Sequence, residues 1–101
     1  MSVSFKAKLR VNKITVELNA FVEDFLAHTV AGMASSLRGV DKIQNLDIRQ
    51  EKGEVKIKIN GEEIPLTPFP NDIICNTLTA VISSLKDVEE KMDSWDITVT
   101  T

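Results

Sequence analysis

A single cysteine, Cys75, stands in this chain of 101 residues, so no intrachain disulfide can form. That fits a reducing compartment, and a cytoplasmic setting is expected. Apolar runs are short: the longest stretch, Phe25 to Met33, is interrupted by His28 and Thr29, so no membrane span is expected. The start, Met1-Ser2-Val3-Ser4-Phe5-Lys6, alternates polar and apolar residues, whereas a signal peptide needs a continuous apolar run behind a basic start. Basic charge is not in excess either. The net charge is −3, which argues against a polybasic nucleic-acid binder.

Catalytic furniture is equally sparse. The four glycines, Gly32, Gly39, Gly53 and Gly61, are scattered and make no phosphate-binding loop. His28 is the only histidine and has no cysteine or second histidine at ligand spacing, so neither a metal nor a cofactor is expected. Cys75 has no basic neighbour in sequence to lower its pKa and reads as a structural thiol. Ser35-Ser36 and Ser83-Ser84 lack a His or Lys partner at catalytic spacing, and Asp24 and Asp72 read as helix-dipole complements. No enzyme activity is expected.

What the chain does contain is a repeat. Shifting it by 48 residues aligns 7–40 with 55–88 without a gap. Ten of the 34 positions are identical, among them Asn12/Asn60, Phe21/Phe69, Asp24/Asp72, Thr29/Thr77 and Ser36/Ser84. Chance would give roughly two. After Val40 the match resumes with one extra residue, at Leu46/Trp95, Ile48/Ile97 and Gln50/Val99.

Each copy reads as hairpin, helix, strand. In the first, Val3 to Val11 alternate with polar residues, and the phase flips at Ile14, Val16 and Leu18. A turn at Asn12-Lys13 explains the flip, setting Val11 against Ile14, Leu9 against Val16, Ala7 against Leu18 and Lys8 against Glu17. The second copy carries Asn60-Gly61, a strong hairpin signal, pairing Ile57 with Ile64 and Lys58 with Glu63. A helix follows each hairpin. Asn19 caps the first and Gly39 suits its end; Thr67 caps the second, with Pro68 at its first position. Their apolar stripes are Val22, Phe25/Leu26, Thr29/Val30, Met33, Leu37, and Ile73/Ile74, Thr77/Leu78, Val81/Ile82, Leu85. Closing strands fall near Ile43–Gln50 and Trp95–Thr100, and the turn Gln50-Glu51-Lys52-Gly53 sets Ile48 against Val55.

A unit of 48 residues barely stabilises itself, so the copies should share one core. The expected fold is α+β: a two-layer sandwich from two tandem ββαβ repeats (about 3–50 and 51–101), within one domain spanning 1–101. Its sheet is antiparallel-rich with about six strands, and two helices cover one face, a ferredoxin-like arrangement with extra strands.

Two surfaces are candidates for function. Ala27, Ala31 and Ser35 lie four apart on the first helix, with Cys75, Thr79 and Ser83 at the same positions of the second. Small residues on faces turned from the apolar stripe permit close helix packing, within the chain or with a partner. Separately, Lys6, Lys8 and Arg10 share a strand face, as do Lys56 and Lys58, giving a potential anion-binding face diluted by Glu17, Asp47, Glu54 and Glu63. No aromatic residue interleaves with these lysines, which disfavours single-stranded nucleic acid.

The segment Ile59-Asn60-Gly61-Glu62-Glu63-Ile64-Pro65-Leu66-Thr67-Pro68-Phe69, followed by Ser83-Ser84-Leu85-Lys86, resembles a tail found on prokaryotic molybdopterin-guanine dinucleotide biosynthesis adapter proteins. Pro70 departs from that pattern, and the adapters' nucleotide-binding part has no counterpart here, so no functional residue carries over. The resemblance implies a small prokaryotic module, occurring alone or appended to metal-cofactor proteins. Expected overall is a non-enzymatic interaction or assembly module, possible as a homodimer, whose partner is a protein or a second copy. The alternative is a binder of anionic ligands.

Overall fold

The computed structural model describes residues 6–37, 43–85 and 92–100. The expected strand start at Val3 and Phe5, the helix stop at Gly39 and the pair Val40/Val88 lie outside these residues. Within them the chain forms β1 (Lys6–Val11), β2 (Ile14–Val16), α1 (Ala20–Ser35), β3 (Asn45–Glu51), β4 (Glu54–Ile59), β5 (Glu62–Ile64), α2 (Pro68–Ser83) and β6 (Ser94–Thr100). This is the α+β fold of two ββαβ units. Its six strands make one antiparallel sheet in the order β2-β1-β6-β3-β4-β5.

That order exchanges strands between the repeats. β6, which closes the second copy, lies between β1 and β3 of the first, while β3 lies between β6 and β4. Ile48 sits opposite Ile97, its own repeat equivalent, so a pseudo-twofold axis passes between β3 and β6. The ladders obey it: Ala7↔Val99, Leu9↔Ile97 and Val11↔Trp95 on one side answer Val55↔Gln50, Ile57↔Ile48 and Ile59↔Leu46 on the other. α1 links β2 to β3 across β1 and β6, and α2 links β5 to β6 across β4 and β3, so each helical connection passes over a strand of the other repeat, as the split connection of ferredoxin-like folds does. Here, though, the closing strand of each repeat takes the sheet centre.

The hairpins form where alternation flips. Val11 faces Ile14 and Leu9 faces Val16; Ile57 faces Ile64 and Lys58 faces Glu63. Both two-residue turns have positive φ throughout, Asn12 at +50° and Lys13 at +68°, Asn60 at +51° and Gly61 at +85°, the twist that tight hairpins need. Lys13 carries a Cβ into this left-handed region where its repeat equivalent is glycine. Lys13→Gly is therefore expected to stabilise the fold by about 0.5–1 kcal/mol, read as a raised urea midpoint.

Two expected pairings do not form. β2 ends at Val16, so neither Ala7 and Leu18 nor Lys8 and Glu17 pair in the ladder. Instead the Ala7 N–H donates to Glu23 Oε2 at 3.1 Å, and the equivalent Val55 N–H donates to Asn71 Oδ1 at 2.8 Å. The turn between the repeats is also tighter than expected. Lys52 (+52°) and Gly53 (+84°) alone occupy it, so Glu51 faces Glu54 and Ile48 faces Ile57, not Val55.

The identical Asn12 and Asn60 serve as cross-repeat clamps. Asn12 Oδ1 accepts from the Asp93 and Ser94 N–H groups at 2.7 and 3.2 Å; Asn60 Oδ1 accepts from Gln44 and Asn45 at 2.8 and 3.0 Å. Each ties a turn of one repeat to the start of the other repeat's closing strand. Asparagine suits both tasks, because it tolerates αL and its amide oxygen accepts from two donors.

Alternate residues of every long strand are buried, and both helices bury side chains in the same cluster, so both cover one face of the sheet. Leu9, Ile48, Ile57, Ile97 and Trp95 meet Leu26, Val30, Leu78 and Ile82 in one continuous core. Asn19 caps α1 by accepting from the Val22 N–H at 2.8 Å. Thr67 occupies the cap position of α2 without a side-chain bond, and Pro68 starts the helix.

Candidate interaction surface

Helix phase differs from the expected one. The buried residues of α1 are Leu26, Ala27, Val30, Ala31 and Ala34. The small-residue stripe is thus not turned from the core: Ala27 and Ala31 are buried, Cys75 and Thr79 are half-buried, and only Ser35 and Ser83 are exposed. Thr79 accepts a 3.0 Å bond from the indole Nε1 of buried Trp95. Ala27, Ala31 and Ala34 instead let α1 lie close to the sheet, where larger side chains would hold it off. That rotation carries the two phenylalanines outward.

Phe21 is 75% exposed and Phe25 48%; at the equivalent positions Phe69 is 74% and Ile73 47% exposed. Phe25 and Ile73 were expected in the core stripe, and Phe21 and Phe69 fell in no expected site. The phenylalanine identity at 21 and 69 was the available signal, since burial does not explain it. Phe21 and Phe25 stack on each other, ring centroids 6.1 Å apart with planes at 19°. From them an outward line runs along α1 through Thr29 and Gly32 to Ser36. Along α2 it runs through Phe69, Ile73, Thr77, Ala80 and Ser84. Helical spacing places each set on one side.

These lines are nearly free of charge. Glu23 and Asp24 in α1 and Asp72 in α2 are the only acidic residues of the two helices, and neither contains Lys or Arg. Glu23 is engaged by the Ala7 N–H. The serines at the far ends bond within their helices: Ser35 to Ala31 O at 2.8 Å, Ser36 to Gly32 O at 3.2 Å, Ser83 to Thr79 O at 2.7 Å and Ser84 to Ala80 O at 3.0 Å. Hydroxyls already donating inside the helix lose little when covered.

The opposite face of the sheet is a mosaic. Lys6, Lys8, Arg10, Lys56 and Lys58 are exposed there as expected. The central strands set acids between the two basic rows: Arg10 faces Asp96 and Lys58 faces Asp47. Arg10 Nε bonds Asp96 Oδ1 at 2.9 Å, and Arg49 approaches Asp47 at 3.4 Å. The hydrogen bond and charge of Asp96 raise the Arg10 pKa further above its ordinary value. Asp96 was missing from the expected acidic residues of this face.

Elsewhere the chemistry is thin. His28 Nδ1 lies 2.8 Å from the Asp24 carbonyl and 3.3 Å from its carboxylate, an exposed contact across one helical turn. No group of three metal-ligating side chains occurs among the described residues. Nor, among them, is any helix long and apolar enough to cross a membrane. An open groove of about 620 Å³ beside the start of α2 is lined by both signs of charge, including Lys52, Glu54, Lys56 and Asp72. Buried Gln50, on the core face between Val55 and Trp95, has no titratable neighbour across the ladder. Comparison with protein families, curated proteins and solved structures finds no match.

Proposed function

We propose that this chain is a non-enzymatic interaction or assembly module of the cytoplasm, and that it docks a protein partner through the outward face of its helix layer. The observation that supports this reading is the pair of exposed apolar lines, Phe21-Phe25 and Phe69-Ile73, placed at equivalent positions of two repeats. Burying such side chains yields about 1.5–3 kcal/mol each relative to full exposure. Edge pairing is the less favoured route, because β2 and β5 are only three residues long and short edges resist strand addition.

The test is photo-crosslinking in cells that produce the protein. Benzoylphenylalanine at position 25 is expected to capture a protein chain, while the same probe at Thr98, on the sheet's opposite face, captures none above background. No capture at position 25 overturns the proposal.

A further inference from the structure

We infer that the occupant of this face is a second copy of the chain, docked helix layer to helix layer, with the bulky end of each helix over the shallow end of a facing one. The inference rests on the docking reading above and adds its partner.

The geometry comes from the fold. The pseudo-twofold axis between antiparallel β3 and β6 stands across the sheet and exchanges α1, which follows β2, with α2, which follows β5, so the two helices are antiparallel. The start of α1 and the far end of α2 come together: Val22 of α1 and, beyond α2, Ser84 and Leu85 line one groove. Each helix is bulky at its start, with Phe21 and Phe25 or Phe69 and Ile73. Each is shallow at its end, with Gly32 and Ser36 or Ala80 and Ser84. Antiparallel helices therefore place bulky ends at two diagonal corners of the face and shallow ends at the other two.

Such a face matches itself. A twofold axis lying in the plane of the layer, along or across the helices, brings bulky corners over shallow ones, the isologous contact of a symmetric dimer. Charge agrees. Asp24 and Asp72 stand in the bulky halves, and the second halves, 27–35 and 75–83, contain no Asp, Glu, Lys or Arg. Acid of one copy thus meets no acid of the other. Two sixteen-residue helices covering one sheet face offer a footprint of roughly 500 Å². Two copies then reach the roughly 1,000 Å² that a specific interface requires.

Sedimentation equilibrium of the purified chain is expected to give twice the monomer mass. Phe21→Glu with Phe69→Glu is expected to weaken association by about 100-fold or more, leaving Trp95 fluorescence unchanged. Filling the shallow ends with Gly32→Arg and Ala80→Arg is expected to do the same. Nothing lies within 4 Å of a Cβ at Gly32, and Ala80 is exposed, so both positions have room for a larger side chain. A wild-type chain that stays monomeric to its solubility limit overturns the second-copy inference. So does a dimer that survives both double variants. If position 25 nevertheless captures a different protein, the docking reading stands alone; if it captures nothing, both fall.

Discussion

Trp95→Ala is expected to remove a large share of the protein's stability. Trp95 is the largest fully buried side chain; it lies between Val11 of β1 and Gln50 of β3 and donates its indole N–H to Thr79 of α2. One side chain thereby joins both repeats and both layers. Its truncation costs about 3–5 kcal/mol, against a total of about 5–15 kcal/mol for a domain of this size. The Thr79 hydroxyl also loses its partner. A urea titration followed by far-UV circular dichroism should show the midpoint falling by a third or more of its wild-type value, on the order expected from that ratio. Trp95→Phe keeps most of the volume and should fall much less. A midpoint for the alanine variant close to wild type would mean that the indole does not bridge the layers.

The second large effect concerns the exchange of strands. Cleaving the chain between Lys52 and Gly53 separates the repeats at a solvent-exposed turn. The fragment 1–52 then holds β1 and β3, which are not neighbours, because β6 lies between them. The fragment 53–101 has the same gap, left by β3. Each also loses half of the continuous core, and its asparagine clamp has no strand to hold. Either fragment alone is expected to show little β-structure by circular dichroism at low micromolar concentration. Mixed in equal amounts, they are expected to recover the native spectrum and the buried-Trp95 fluorescence. A fragment that folds alone as a monomer would contradict strand exchange between the repeats.

Much of this was legible in the sequence because it is local. Asn60-Gly61 and the phase flip at Asn12-Lys13 located both hairpins, since the turn and the alternation constrain the same register. Asn19 and Pro68 located the helix starts. The duplication called for symmetry, and the two halves answer it bond for bond at Asn12/Asn60 and at Glu23/Asn71. What was not legible is nonlocal. Periodicity marks a helix stripe but does not rank its two margins when one is bulky and the other small. Phe25 and Ile73 were therefore expected in the core, whereas the close approach of α1 to the sheet selected Ala27 and Ala31. The register after Glu51 depended on Lys52 entering the left-handed region, which lysine seldom does. The acids amid the basic rows followed from strand order, and alternation within a strand carries no information about its neighbours.

The helix-layer interface is the account's central claim, and fluorine NMR tests it most directly. The chain has four phenylalanines; Phe21, Phe25 and Phe69 stand on the outward lines, and the fourth, Phe5, lies outside the described residues. With fluorophenylalanine incorporated, dilution through the association range is expected to shift the resonances of those three. The Trp95 indole N–H signal, read by proton NMR on the same samples, should stay fixed, because the core does not change. Three outward resonances that stay unmoved from the highest concentration to the lowest would contradict the interface between two copies.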